Sequence, residues 1–401
     1  MESLGVKIQR KTELISFIQQ NGNVSAVLRL PNGAKEEISP RWIIGCDGAH
    51  STVREQAQIP FEGGGVGLSF FLGDFEIDGP DAPADGLLIH WHKGNVVFMG
   101  RLSDKITRVI LALHQEQGSG EEKEDQKRKL SIKDFQDPID SAGIRLKIRS
   151  SDWMTPFHVN DRQAQHYRAG NVLLAGDASH IHSPIGGQGM NTGIQDAANL
   201  CWKLAAVARG TDDRLLDSYE EERGQVGRAL LKFTERGLKM ATESGWVVER
   251  IRDAILPIIS GLAPIQKSIL GFVSETAIEY RSSSIVSDHG GDGSLRAGDR
   301  MPDLTLLHKE DRATLLADWT DGKHLVLLLG ATDSESGEFT THFTHARIIH
   351  VHASDLDLEG QRLLGVEKKL LIVRPDGYIG FRGSIEKRDD LEAYARQDGL
   401  C

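Results

Sequence analysis

NVLLAGDASHIHSPIGGQGMNTGIQDAANLCWKL, residues Asn171 to Leu204, lays out a strand, a tight turn, a glycine-rich loop and a helix in succession. The apolar run from Asn171 to Ala175 has strand character and stops at Gly176-Asp177. A carboxylate therefore sits at the carboxyl end of a strand, where open α/β sheets hold their ligands. That placement suits a ribose hydroxyl. Gly186, Gly187, Gly189 and Gly193 leave the following loop free to approach a planar ring and to present bare amides. From Met190 onward Ile194, Ala197, Ala198, Cys201, Leu204 and Ala205 recur at three- and four-residue intervals. The spacing predicts a helix that buries this face and turns its amino end toward the loop. A positive helix end beside a ring suits an anionic ring carbonyl.

Upstream, Trp42 to Arg54 reads WIIGCDGAHSTVR, a buried strand ending in a turn that opens a short helix at Ser51. A lone Asp-Gly turn is common. The two segments together resemble the class A FAD-dependent monooxygenases, the aromatic hydroxylases of the para-hydroxybenzoate hydroxylase and phenol 2-monooxygenase type. Gly176-Asp177, followed by Ala178, His180 and Pro184, stands in that family's GD motif, and Gly186 to Leu204 reproduces its GGQGMNTGIQDAxNLxWKL run. Asp47, Gly48, Ser51 and Arg54 stand in its DG motif.

The resemblance implies FAD and NAD(P)H as cofactors and a small aromatic substrate hydroxylated with O2. It implies that Asp47, Gly48 and Arg54 handle both cofactors, that Asp177 with Gly176 binds the ribose and ribityl part of FAD, and that Pro184 walls the ring beside Gly187. Gly189, Met190 and Asn191 would donate backbone N–H groups to the pyrimidine edge. No catalytic acid or base is assigned. His90, His92 and Arg101 fall in strands expected to line the substrate pocket and are read as structural.

The family opens with a G-x-G-x-x-G fingerprint that holds the FAD pyrophosphate, and no such run occurs in these 401 residues. The chain passes instead straight into a meander with turns at Asn21-Gly22 and Asn32-Gly33. The expectation is an N-terminally truncated chain, short by about a hundred residues, enough for a complete βαβ unit. The implied fold class is α/β: an incomplete FAD/NAD(P)-binding Rossmann-like domain, a mixed β-sheet substrate domain, a helical region and a C-terminal thioredoxin-like domain. In numbers, 1–62 is the remnant of the FAD-binding domain with the DG motif, 63–165 the β-rich substrate domain and 166–210 the FAD-binding part with the GD motif. A helical region covers 211–281, a linker 282–298 and the thioredoxin-like domain 299–401.

Gly63-Gly64-Gly65 reads as a flexible exit from the first sheet, followed by strands over Phe70–Ile77, Gly86–His92, Asn95–Arg101 and Thr107–His114, with a turn at Lys93-Gly94. The charged run Glu121 to Lys129 is a solvated surface. Leu215 to Met240 is helical, and its SYEEER run, Ser218 to Arg223, resembles the family's YExER signature; alternating charges there predict an exposed face. LLIVRPDGYIGFR near the end resembles the thioredoxin-like appendage, its hairpin turning at Asp376-Gly377, with packing or homodimer contacts as the implied role.

A net charge of −11 without a basic stripe excludes nucleic acid as a partner. Cys46, Cys201 and Cys401 form no CxxC, so no disulfide framework, zinc site or thioredoxin redox centre is expected, and a reducing cytoplasm fits. His342, His345, His350 and His352 lack partners at metal-binding spacing. No membrane span is read, since the longest candidate, Ala254 to Leu262, is broken by Pro257 and Gly261. Two rival readings are a different flavin-dependent oxidoreductase of the same superfamily and a flavin-free interaction protein.

Overall fold

The first hairpin forms where Asn21 (φ 53°) and Gly22 (φ 76°) both take left-handed backbone, the geometry of a type I′ turn that matches strand twist. It joins β1 (Glu13–Gln20) to β2 (Asn23–Arg29), and β3 (Lys35–Ile38) completes an antiparallel meander around the turn at Asn32-Gly33. The computed structural model describes residues 2–92, 95–114, 129–182, 188–242, 275–307, 312–314, 322–331, 343, 346–386 and 388–397. The Lys93-Gly94 turn, the 121–128 charged run, Ala254 to Leu262, His342 and His345 lie outside them.

β4 (Ile43–Gly45) leads into the short helix α1 (Thr52–Gln56). It pairs in parallel with β11 (Val172–Leu174), which takes β10 (Arg168–Ala169) on its other edge. Val172, Leu173 and Leu174 are wholly buried. Such a continuous apolar run is what a sheet covered on both faces demands.

A six-stranded sheet stands beside this core, built from β5 (Phe61–Asp78), β6 (Leu87–His92), β7 (Asn95–Arg101), β8 (Thr107–His114), β9 (Lys147–Ala164) and β12 (His180–Ile181), in the order β12-β9-β5-β8-β7-β6. The helix α2 (Ile132–Ser141) covers one face, packing Phe135 against Phe75 at 4.6 Å between ring centroids. Gly63, Gly64 and Gly65 are not a free exit from the sheet. They pair with Arg162, Asp161 and Asn160 of β9. β12 comes from the segment just after Asp177, so the sheet and the GD turn are one continuous structure.

Two long helices, α3 (Gly189–Arg209) and α4 (Asp217–Thr242), follow. Then come β13 (Ser287–Asp288), the hairpin of β14 (Thr305–Leu307) and β15 (Arg312–Thr314), β16 (His324–Leu329), β17 (Ala346–Val351), α5 (Leu358–Leu364), β18 (Lys369–Val373), β19 (Ile379–Gly383) and α6 (Arg388–Gln397). The sheet order β13-β19-β18-β16-β17, with β16 parallel to β17 and antiparallel to β18, is the thioredoxin-like arrangement. The 282–298 stretch is not a free linker. β13 adds to β19, and Ser283 and Ile285 are buried, because the segment has donors and an apolar side chain to place against α4 and the last sheet.

The charges of Ser218 to Arg223 do not form an exposed face either: Tyr219, Glu222 and Arg223 are buried. Glu222 accepts from Arg374 Nη1 at 2.6 Å and Nη2 at 2.9 Å, from Lys203 Nζ at 2.8 Å, from Asn199 Nδ2 at 2.6 Å and from Ser283 Oγ at 2.7 Å. Asp376, at the tip of the β18–β19 hairpin, accepts from the Trp202 indole at 3.1 Å and from Asn199 at 3.0 Å. Two cations thus meet two anions inside the protein, and the C-terminal hairpin is locked onto α3 and α4.

Burial works to raise the Glu222 pKa, but Arg374 and Lys203 hold it far below the usual carboxylate range. Its contribution to stability is complete above the ordinary glutamate pKa and is lost as pH falls below it. Arg374→Ala leaves Glu222 and Asp376 without their shared cation, and a loss of about 3–5 kcal/mol in urea unfolding at pH 7 is expected. Arg374→Lys is expected to restore only part of it, because an ammonium cannot reproduce the two-toothed contact.

Candidate flavin site

Gly176 takes φ +61° at the end of β11, and Asp177 follows with its side chain exposed. The turn is pinned from below by Asp196 of α3, which accepts from the Gly176 N–H at 3.0 Å, from His180 Nε2 at 2.7 Å and from Arg223 Nε at 2.7 Å. Asp196 is wholly buried. Burial pushes its pKa up, while His180 and Arg223 more than reverse the effect, so the carboxyl stays charged. Helix and turn meet glycine to glycine: a Cβ on Gly193 would lie 3.2 Å from the Gly176 Cα. No larger residue keeps that approach.

The two motifs are physically joined. Arg54 is 5% exposed, and its guanidinium donates to the Ala178 carbonyl at 2.9 Å and to the Ala49 carbonyl at 2.8 Å while covering the Phe61 ring at 3.8 Å. Asp47 accepts from Ser51 Oγ and from the Val53 N–H, which caps α1, and Gly48 turns the chain with φ +83°. The structure therefore gives Arg54 the task of holding one turn against the other, while Asp47 ties the DG turn to the start of α1. Asp177 leaves the GD turn with its carboxylate exposed.

Gly189, Met190 and Asn191 form the first turn of α3, the end of a helix where N–H groups have no partner within the helix. Met190 and Asn191 are exposed there. Pro184 and Gly187 lie outside the described residues.

The burial of α3 reverses the expectation from its apolar spacing. Ile194, Ala197, Ala198, Cys201 and Ala205 are exposed, and Leu204 is half-buried. The buried side carries Thr192, Asp196, Asn199 and Lys203 together with the apolar Leu200, Trp202, Ala206 and Val207. Each of these polar groups has a buried partner, and that outweighs the apolar stripe. Ile44 of β4, 40% exposed, adds to the open apolar surface. Sequence reasoning also missed Arg223, whose charge spacing looked like surface patterning, and the buried partners of Arg374 and of Asp376, which was read only as a hairpin turn.

These residues fit the ribityl and ring side of FAD: an exposed carboxylate after a strand, bare helix N–H groups, and a glycine contact that a Cβ would fill. A family model described as an FAD binding domain covers residues 1–234, and one for the aromatic-ring hydroxylase C-terminal region covers 294–397. The chain belongs to the FAD-dependent aromatic hydroxylases of class A.

Pentachlorophenol 4-monooxygenase of Sphingobium chlorophenolicum is 31% identical over 405 residues, covering 95% of this chain and 72% of that protein. Rifampicin monooxygenase of Streptomyces venezuelae is 31% identical over 385 residues, covering 95% and 73%. The anhydrotetracycline hydroxylase OxyS of Streptomyces rimosus superimposes with a TM-score of 0.76 at 26% identity, over 99% of this chain and 77% of that one. The hydroxylase is accordingly a FAD-dependent monooxygenase by resemblance, acting on an aromatic substrate with O2. Among its described residues no helix is long and apolar enough to cross a membrane.

Two outcomes follow for this class A hydroxylase. Asp196→Ala strips the partner from Arg223 and His180 and frees the Gly176 N–H, and is expected to lower stability by about 3–5 kcal/mol in urea unfolding. His182, pushed down to about 4 by burial and then by His180, stays neutral when folded. Between pH 6.5 and 4 the unfolded chain binds a proton that the folded one refuses, so stability falls by up to about 3 kcal/mol as pH drops through that window. His182→Phe is expected to reduce that slope.

Proposed function

We propose that this chain hydroxylates a phenol-like aromatic ring, with NAD(P)H as the electron donor for its flavin. The observation that carries the reading is the joint construction of the GD turn: Asp196 from below and Arg54 from the DG side fix Gly176 and Ala178 and leave Asp177 free for a ligand. When bound, FAD supplies the redox chemistry of O2 activation. The protein's share is binding and positioning. Asp177 accepts from ribose or ribityl hydroxyls. Gly189, Met190 and Asn191 offer N–H groups to the negative pyrimidine edge, strengthened by the positive end of α3. Arg54 and Asp47 act as positioning residues, and Gly48 permits the DG turn. Contacts between copies through the thioredoxin-like domain, and a cytoplasmic setting, belong to the same reading.

A second reading is a flavin-free interaction protein. Titration with FAD, followed by quenching of flavin fluorescence, separates the two. Saturable binding supports the enzyme reading, and Asp177→Ala is expected to weaken it by about tenfold, the worth of a hydrogen bond to a charged group. Phenol-dependent NADPH or NADH oxidation with a hydroxylated product completes the test. A protein that stays colourless with FAD and consumes neither nucleotide would overturn the first reading.

A further inference from the structure

Ser287 opens β13, and His289 follows two residues on, where the pairing with β19 continues through its N–H and the Arg382 carbonyl at 2.8 Å. Both side chains therefore leave the same face of the strand. Ser287 Oγ lies 2.8 Å from His289 Nε2, and His289 Nδ1 lies 3.2 Å from Asp390 Oδ2 in the first turn of α6. Both are hydrogen-bonding distances.

The direction of the two bonds follows from the chemistry of the groups. An ionised carboxylate only accepts, and the positive end of α6 favours that charge on Asp390. Nδ1 therefore carries the imidazole proton, and Nε2 is left to accept from the Ser287 hydroxyl. A hydroxyl, a base within reach of it and a third group that orients the base make up the arrangement that activates a serine, on whatever fold it occurs. The parts are held by their surroundings. The imidazole packs on the buried Phe381 ring at 5.3 Å between centroids. Asp288, between the two residues, accepts from the Gly290 N–H at 2.9 Å and the Ala297 N–H at 3.0 Å, which fixes the bend beyond His289. The approach stays open: the side chains of His289 and Asp390 are 26% and 40% exposed, and a Cβ on Gly290 would meet nothing within 4 Å. None of these groups belongs to the flavin site or to the Glu222 cluster.

We propose that Ser287, His289 and Asp390 form a second, flavin-independent site that hydrolyses activated carboxylic esters through an acyl-serine. Ser287 Oγ bonds to the ester carbonyl carbon as its proton passes to His289 Nε2; the bond from that carbon to the leaving oxygen then breaks, and the leaving alcohol takes the proton. Water next gives a proton to Nε2 and attacks the acyl carbon. The bond to Oγ breaks, Ser287 recovers its proton, and the carboxylic acid departs. Asp390 is a positioning residue that holds Nδ1–H. Exposure sets the substrate class: the array faces solvent, so a small acyl group reaches it without a pocket, and the leaving group has to be a good one in its own right, as 4-nitrophenol is.

The test uses the full chain at about pH 8, where an ordinary imidazole is neutral. Diisopropyl fluorophosphate is expected to phosphorylate Ser287, Oγ displacing fluoride, and peptide mass spectrometry locates the label. His289→Ala is expected to slow that labelling about a hundredfold, the lower end of what a positioned base supplies. Asp390→Ala is expected to slow it about tenfold, and Asp390→Glu to recover part of the loss. With 4-nitrophenyl acetate, an acid quench is expected to trap acetyl-Ser287, and Ser287→Ala to release less 4-nitrophenol than the unaltered chain. In urea the unaltered chain is expected to lose its selectivity for Ser287, because β13, β19 and α6 no longer assemble the array. An unlabelled Ser287, labelling undiminished in His289→Ala or in urea, or equal ester hydrolysis by the unaltered and Ser287→Ala chains would each overturn the proposal.

Discussion

The carboxylate of Glu222 is buried where three parts of the chain converge: α3 through Asn199 and Lys203, the 283 region through Ser283, and the C-terminal hairpin through Arg374. An ion taken out of water must recover its hydration from fixed partners, and this one does so with five donor contacts. The thioredoxin-like domain consequently has no independent resting place. Its hairpin brings the guanidinium that the other two layers require.

The same logic runs the length of α3. Thr192, Asp196, Asn199 and Lys203 fall four, three and four residues apart and so share one side of the helix. Each meets a different demand: Glu275, the Gly176 turn with Arg223, the Glu222 cluster with Asp376, and Glu222 again. The helix is a polar spine from which the flavin turn, α4 and the C-terminal sheet are hung. Rigidity at the GD turn follows, because its anchor Asp196 is fixed on both sides.

Local chemistry was the legible part of the sequence. Asn21-Gly22 specified its hairpin, Asp376-Gly377 its turn, and the GD and DG segments their strand-turn-helix forms, because short-range sterics decide each of them. Burial was not legible in the same way. In α3 a polar stripe and an apolar stripe have the same helical period, and nothing in the chain itself says which will find partners. Arg374 and Asp376 are far in sequence from Glu222 and Asn199, so nothing local shows that their charges pair once the fold brings them together. β9 was missed over most of its length because KIRSSDWMTPFHVNDRQA alternates too weakly, and its pairing with β5 carries the strand instead.

The polar spine also bears on the thermal behaviour of the molecule. Exposing apolar surface raises the heat capacity on unfolding, and exposing polar surface lowers it. α3 buries Asp196, Asn199 and Lys203 beside Leu200, Trp202, Ala206 and Val207, so its unfolding exposes polar and apolar surface together. The two kinds of surface pull the heat-capacity change of unfolding in opposite directions along this one helix.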